Sequence, residues 1–116
     1  MPTKAEIRDR VLKKLGVLAR GQTANAGDAS HVEQAYDELH AELTERSLAV
    51  WALTADVPDK LAQSVVDMLA FRVCNDYSVS NDRYARLQAD AVKADGMMFA
   101  MTKGEFVYKP VDYVGY

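Results

Sequence analysis

Apolar residues recur three and four positions apart in four separate segments, which is the spacing of one face of an α-helix. The first segment carries Ile7, Val11 and Leu15, and the last continues to Met101. The chain has 116 residues, 49% of them hydrophobic, which suffices for one domain with a real core. We therefore predict an all-α fold, a small bundle of about four helices.

Capping residues set the predicted helix boundaries. A capping box at Thr3 and Glu6 starts the first helix, and Gly16 ends it. A second capping box, at Ser30 and Glu33, starts the second helix. The predicted helices are 3–16, 30–46, 56–76 and 80–104, the last closed by Gly104.

The connection at residues 47–57 is too apolar for an exposed loop. It contains Leu48, Val50, Trp51 and Leu53. We expect it to cover the helices as an irregular or short extended segment, with Trp51 as a core anchor. The third predicted helix begins at the end of this connection. Pro58 is compatible with that start, because proline is tolerated in the first turn of a helix.

Residues 105–116 differ from the rest and hold four of the ten aromatic residues. We predict an extended C-terminal arm there, beside a helical domain at 1–104. Ordering such an arm costs about 1–2 kcal/mol per residue, so a surface must bury its aromatics. The arm either folds back over its own bundle or reaches another chain, and we favour the second. The candidate partner-binding residues are Phe106, Tyr108, Pro110, Tyr113 and Tyr116.

Charge is unevenly distributed, although the net charge is only −3. Residues 1–20 are basic, and residues 28–59 hold eight acidic residues against one arginine. Opposite patches suit contacts between identical copies, although both runs would also suit solvated helix faces. The residues predicted for such inter-subunit contacts are Arg8, Arg10, Lys13 and Lys14 with Asp37, Glu38, Glu42 and Glu45.

The sequence offers no convincing catalytic or metal-binding group. His31 and His40, nine residues apart, point to opposite sides of a helix and cannot share a metal there. Cys74 lies in an apolar helix and is interpreted as a buried small hydrophobe. The acidic pairs of helix two line one face without a cleft. We expect a protein that is not an enzyme and has no metal or cofactor.

Neither a leader nor a membrane span is expected. The first ten residues lack an apolar h-region, and no apolar run approaches the roughly 18 residues that a span needs. We therefore expect synthesis in the cytoplasm and no membrane contact.

The order of these elements resembles the head-tail adaptor proteins of tailed bacteriophages, also called connector, tail accessory or head-completion proteins, above all those of short-tailed phages. The likeness covers about residues 3–100. It is carried by Lys14-Leu15-Gly16-Val17, Val32-Glu33-Gln34-Ala35-Tyr36-Asp37-Glu38-Leu39, Trp51, Leu61-Ala62-Gln63-Ser64-Val65-Val66, Leu69-Ala70-Phe71-Arg72-Val73 and Asn75-Asp76-Tyr77.

This resemblance implies a structural protein of the virion, located at the head-tail junction. It implies a ring of identical copies, matching the dodecameric symmetry of the portal protein, that presents a platform to the downstream tail or nozzle protein. A C-terminal arm, here 105–116, would grip the portal, and contact with DNA in the channel would be non-specific at most. The alternative is a small DNA-binding or regulatory module that uses the basic first helix.

Overall fold

The computed structural model describes residues 1–19 and 21–112, with side chains described up to residue 102, and the described part is all-helical as predicted. The helices are α1 (Lys4–Lys14), α2 (Ala26–Glu45), α3 (Asp59–Val73) and α4 (Asn81–Asp112), with a 3₁₀ turn at Cys74–Asp76.

The third helix is the centre of the bundle. Leu61, Val65 and Leu69 are fully buried, and α3 packs against each of the other three helices. Its neighbours contribute the rest of one continuous core, because each turns an apolar stripe towards α3.

The ends of α1 are those that the sequence predicted. The Thr3 hydroxyl accepts a hydrogen bond from the Glu6 amide at 3.2 Å, and the Thr3 amide donates to the Glu6 carboxylate at 3.0 Å. After the helix, Gly16 has a φ of 79°, and the Val17 amide donates to the Leu12 carbonyl at 3.0 Å. This is a Schellman motif, which needs a left-handed residue at the glycine position.

The second helix ends in the same motif with a serine instead of glycine. Ser47 has a φ of 60°, and the Leu48 amide donates to the Leu43 carbonyl at 2.8 Å. A left-handed conformation costs an L-residue about 1–2 kcal/mol, so Ser47 is a strained position.

Substitutions at the C-terminal ends of α1 and α2 should change stability in opposite directions. We expect Gly16→Ala to lower the free energy of unfolding by about 1–2 kcal/mol, because its Cβ would be strained. That Cβ would also meet the Arg83 guanidinium. We expect Ser47→Gly to raise stability by about 1 kcal/mol. Chemical denaturation measures the free energy of unfolding of both variants. Equal effects of the same sign would contradict the left-handed conformation assigned to both residues.

The predicted start of helix two was wrong. The helix begins at Ala26, where the Asn25 side chain accepts a hydrogen bond from the Asp28 amide at 2.8 Å. Ser30 therefore lies one turn inside α2 and caps nothing. Asp28 also accepts a hydrogen bond from the Tyr77 hydroxyl at 3.2 Å, and burial together with that carboxylate raises the pKa of Tyr77 to about 12. The first turn of α2 is thus held by the Asn25 cap and by the hydrogen bond from Tyr77 to Asp28.

The predicted end of helix four was also wrong. Gly104 is helical, and α4 continues to Asp112, so residues 105–112 are not extended. Glycine weakens a helix interior by about 1 kcal/mol but ends a helix only when it becomes left-handed. The side chains of Phe106, Tyr108 and Pro110 lie outside the described part, as do Tyr113 and Tyr116 altogether.

The connection between α2 and α3 covers the core only in part. Leu48, Trp51 and Val57 are buried, as a covering segment requires. Val50 and Leu53 are 61% and 39% exposed, so the expectation that this apolar segment would not be exposed was wrong for them.

Within the described residues, no helix combines the length and the apolar character needed to cross a membrane.

Candidate protein-interaction surfaces

The basic α1 and the acidic α2 pair with each other inside one chain. Arg8 lies 2.7 Å from Glu33, and Lys4 lies 2.6 Å from Asp37. Hydrogen bonds to Asp9 and Glu33 raise the pKa of Arg8, whose side chain is mostly buried. Part of the charge that the sequence assigned to contacts between copies is therefore neutralised locally.

The far end of α2 is paired in the same way. Arg72 of α3 lies 2.8 Å from Glu42 and 4.0 Å from Glu38. Arg10, Lys13 and Glu45 are exposed and form no ion pair with any described residue. Their predicted role between copies stays a prediction.

Lys14 joins three helices. Its ammonium lies 3.1 Å from Asp67 of α3 and 2.9 Å from Asp90 of α4. Burial lowers the pKa of Lys14, but the hydrogen bonds to Asp90 and Asp67 outweigh it and leave the pKa raised. Lys14 thus stays protonated and acts as a structural cation that fastens α4 to α1 and α3.

A basic side of α4 forms around this lysine. Two adjoining cavities of about 170 and 250 Å³ lie between α1, α3 and α4. Their lining includes the cations Lys14, Lys60, Arg83, Arg86 and Lys93 and the carboxylates of Asp67 and Asp90. Sequence reasoning missed this side, because four of its five cations come from residues 60–116, where basic and acidic residues are equal in number.

An apolar groove lies on the opposite side of α4, between α2, α3 and α4. Its cavity volume is about 390 Å³. Its apolar lining consists of Leu39, Met68, Phe71, Ala91 and Val92. Two ion pairs form the rim, Arg72 with Glu42 and Arg46 with Asp95, the latter at 2.7 Å.

The exposed face of α4 carries several apolar side chains, among them Met101, which the helical spacing of the sequence had placed on the apolar stripe. Of the clustered methionines, Met98 is fully buried, whereas Met97 and Met101 are 42% and 41% exposed. Val92 is 70% and Phe99 46% exposed. Met98 is the last buried side chain of the described part of α4, and the helix continues for 14 residues beyond it.

The two histidines and the cysteine considered for catalysis each contact different residues. His31 pairs with Asp76 at 2.8 Å, while His40 contacts the Trp51 carbonyl at 2.8 Å. Cys74 is fully buried, and burial raises the pKa of its thiol. Among the described residues no group of three or more His, Cys, Asp or Glu side chains could hold a metal ion.

The chain matches no protein-family model, no curated protein and no solved structure.

Proposed function

We propose that this protein is a non-catalytic structural adaptor of a bacteriophage head-tail junction. It assembles as a ring, a dodecamer, on the portal protein and links it to the downstream tail protein. The observation that carries the proposal is the continuation of α4 for 14 residues past Met98, the last buried side chain among those described, with exposed Met97, Phe99 and Met101 directly before the aromatic segment 105–116.

Helix lengths support a binding role for this end of α4. A helix of 32 residues is about 48 Å long, whereas the 15 residues of α3 span only about 22 Å. The central helix therefore cannot cover the whole of α4. Exposed apolar side chains that cluster on one element are typical of protein-interaction sites.

The aromatic segment supplies suitable anchors. Tyrosine and phenylalanine bury large areas, and tyrosine keeps a hydroxyl for the polar rim of an interface. Each copy in a ring repeats the same weak contact, so avidity makes the joint strong. Phe106, Tyr108, Pro110, Tyr113 and Tyr116 are the proposed portal contacts.

The basic side of α4 favours a second candidate, a DNA-binding module. Lys60, Arg86 and Lys93 are exposed and share one side of the bundle. The basic first helix, on which the alternative first rested, is less suited, since Arg8 and Lys14 are paired with carboxylates. Strongly salt-dependent duplex binding by the isolated protein, lost on replacing Lys60 and Lys93 with glutamine, would favour this candidate.

Deletion of residues 105–116 tests the proposed function. The probe is the portal ring encoded by the same genome, and the measurement is co-sedimentation. We expect the shortened chain to bind at least about tenfold more weakly, because the anchor area is lost. Its body should fold, since the last described buried residue is Met98.

A matched control changes apolar residues elsewhere on the surface. The Val50→Ser/Leu53→Ser chain loses two exposed side chains of the α2–α3 connection and should bind like the unaltered chain. In a second variant, Phe106, Tyr108, Tyr113 and Tyr116 become serine in the full-length chain, which should reproduce the loss. Undiminished attachment of both tail variants would remove the proposed portal contact.

A further inference from the structure

The two sides of α4 differ in charge, with exposed lysines on one side and half-exposed carboxylates on the other. Val92, on the groove side, and Met97, on the basic side, are five residues apart and so point about 140° away from each other. Both are well exposed, at 70% and 42%. No fold of a single chain can bring two such positions of one straight helix together.

The basic side carries exposed methionines beside cations. Met97 lines the same cavity as Lys60 and Lys93, and Met101 follows one turn later at 41% exposure. Methionine side chains are flexible and fill irregular apolar hollows well.

The groove side presents the matching hollow. Its floor includes Met68 and Phe71, both half-buried, with Val92 at its edge. Carboxylates of Glu42 and Asp95 stand at the rim, and Glu38 lies within 4.0 Å of the Arg72 guanidinium at the same rim. Although arginines pair with them, these carboxylates remain about half exposed.

We propose that a second copy of this chain occupies the groove, with Met97 of one copy on the apolar floor of the next and Lys60 and Lys93 facing the rim carboxylates. The contact joins two different surfaces and is heterologous, so its repetition closes a ring when the rotation between neighbours divides a full turn, as the proposed adaptor ring requires. The inference rests on the proposed function in that it names the surfaces by which neighbouring adaptors meet. Rotational symmetry would then place every 105–116 segment on the same side of the ring.

Selective cross-linking tests this contact on the full chain without any portal. One preparation carries Met97→Cys and the other, with a mass tag, carries Val92→Cys. They are mixed at high concentration and treated with a short thiol cross-linker. Native Cys74 is fully buried, so the unaltered chain gives the background.

We expect mixed dimers to exceed either homodimer by about tenfold. A chain with both substitutions should give a ladder of higher species, as a heterologous contact requires. Adding Lys60→Glu/Lys93→Glu to the Met97→Cys chain should reduce the yield, whereas Ser30→Glu, about 12 Å along α2 from Glu38, should not.

Homodimers alone would overturn the heterologous contact in favour of a two-fold one. Yields no higher than that of the unaltered chain would overturn the contact between copies altogether. With either result, the chain could still co-sediment with the portal ring, so the proposed function would stand. Mixed dimers without portal binding would instead refute the adaptor function.

Discussion

Trp51→Ala should lower the free energy of unfolding by about 3–5 kcal/mol, the range for truncating a buried aromatic side chain. Trp51 is 8% exposed, and its indole N–H donates to the Tyr36 hydroxyl at 2.9 Å. Its ring also meets the His40 ring edge-on at a centroid distance of 5.5 Å. The substitution removes the hydrogen bond and the ring packing by which the Trp51 side chain joins the α2–α3 connection to α2.

Trp51→Phe distinguishes the contribution of the hydrogen bond to Tyr36 from that of the ring packing. It keeps an aromatic ring but leaves the buried Tyr36 hydroxyl without its donor, so we expect a smaller loss of about 1–2 kcal/mol. Because Trp51 is the only tryptophan, unfolding is followed by far-ultraviolet circular dichroism in denaturant. Equal losses for the two variants would contradict the assigned role of the packing.

Leu69→Ala should lower the free energy of unfolding by about 2–5 kcal/mol, because the substitution leaves a cavity in the core. Leu69 is fully buried on α3, which contacts all three other helices. Since small domains are stable by only about 5–15 kcal/mol, this is a large share of the total.

The matched control for this change is Leu53→Ala. Leu53 is 39% exposed in the connection, so the same chemical truncation should cost clearly less. Denaturant midpoints and slopes measured side by side make the comparison. A loss at Leu53 equal to that at Leu69 would contradict the central position of α3.

Much of the fold could be predicted because local signals and packing agree in α1 and α3. The capping box at Thr3 and the glycine at residue 16 act through neighbouring backbone groups, which the sequence alone specifies. The start of α2 could not be read so well, since Asn25 and Ser30 both suit an N-cap, and contacts with Tyr77 from 49 residues away support the earlier one.

The end of α4 was missed for a different reason. Gly104, the β-branched residues and Pro110 after it all disfavour a helix, yet α4 continues to Asp112. Each residue added to a helix that is already formed contributes one backbone hydrogen bond, which offsets the cost of about 1 kcal/mol for glycine and the smaller cost of β-branched residues. An interior proline costs about 3 kcal/mol, so local preference alone would end the helix before Pro110.

The candidate surfaces depended on tertiary placement. Which of Arg8, Lys14 and Glu42 would be paired inside the chain is decided by how α1, α2 and α3 cross, and the charge pattern alone carries no such information. The exposure of Met97 was likewise unpredictable. Met97 and buried Met98 are neighbours in the sequence, and only the rotation of α4 against the bundle decides which of them faces the core.

The most direct measurement is the mass of the portal ring, encoded by the same genome, with and without this protein. The adaptor role predicts a gain equal to a dodecameric complement of chains, each adding 12.9 kDa, while the isolated protein remains in small species at the same dilution. A portal ring whose mass stays unchanged at saturating protein would contradict it.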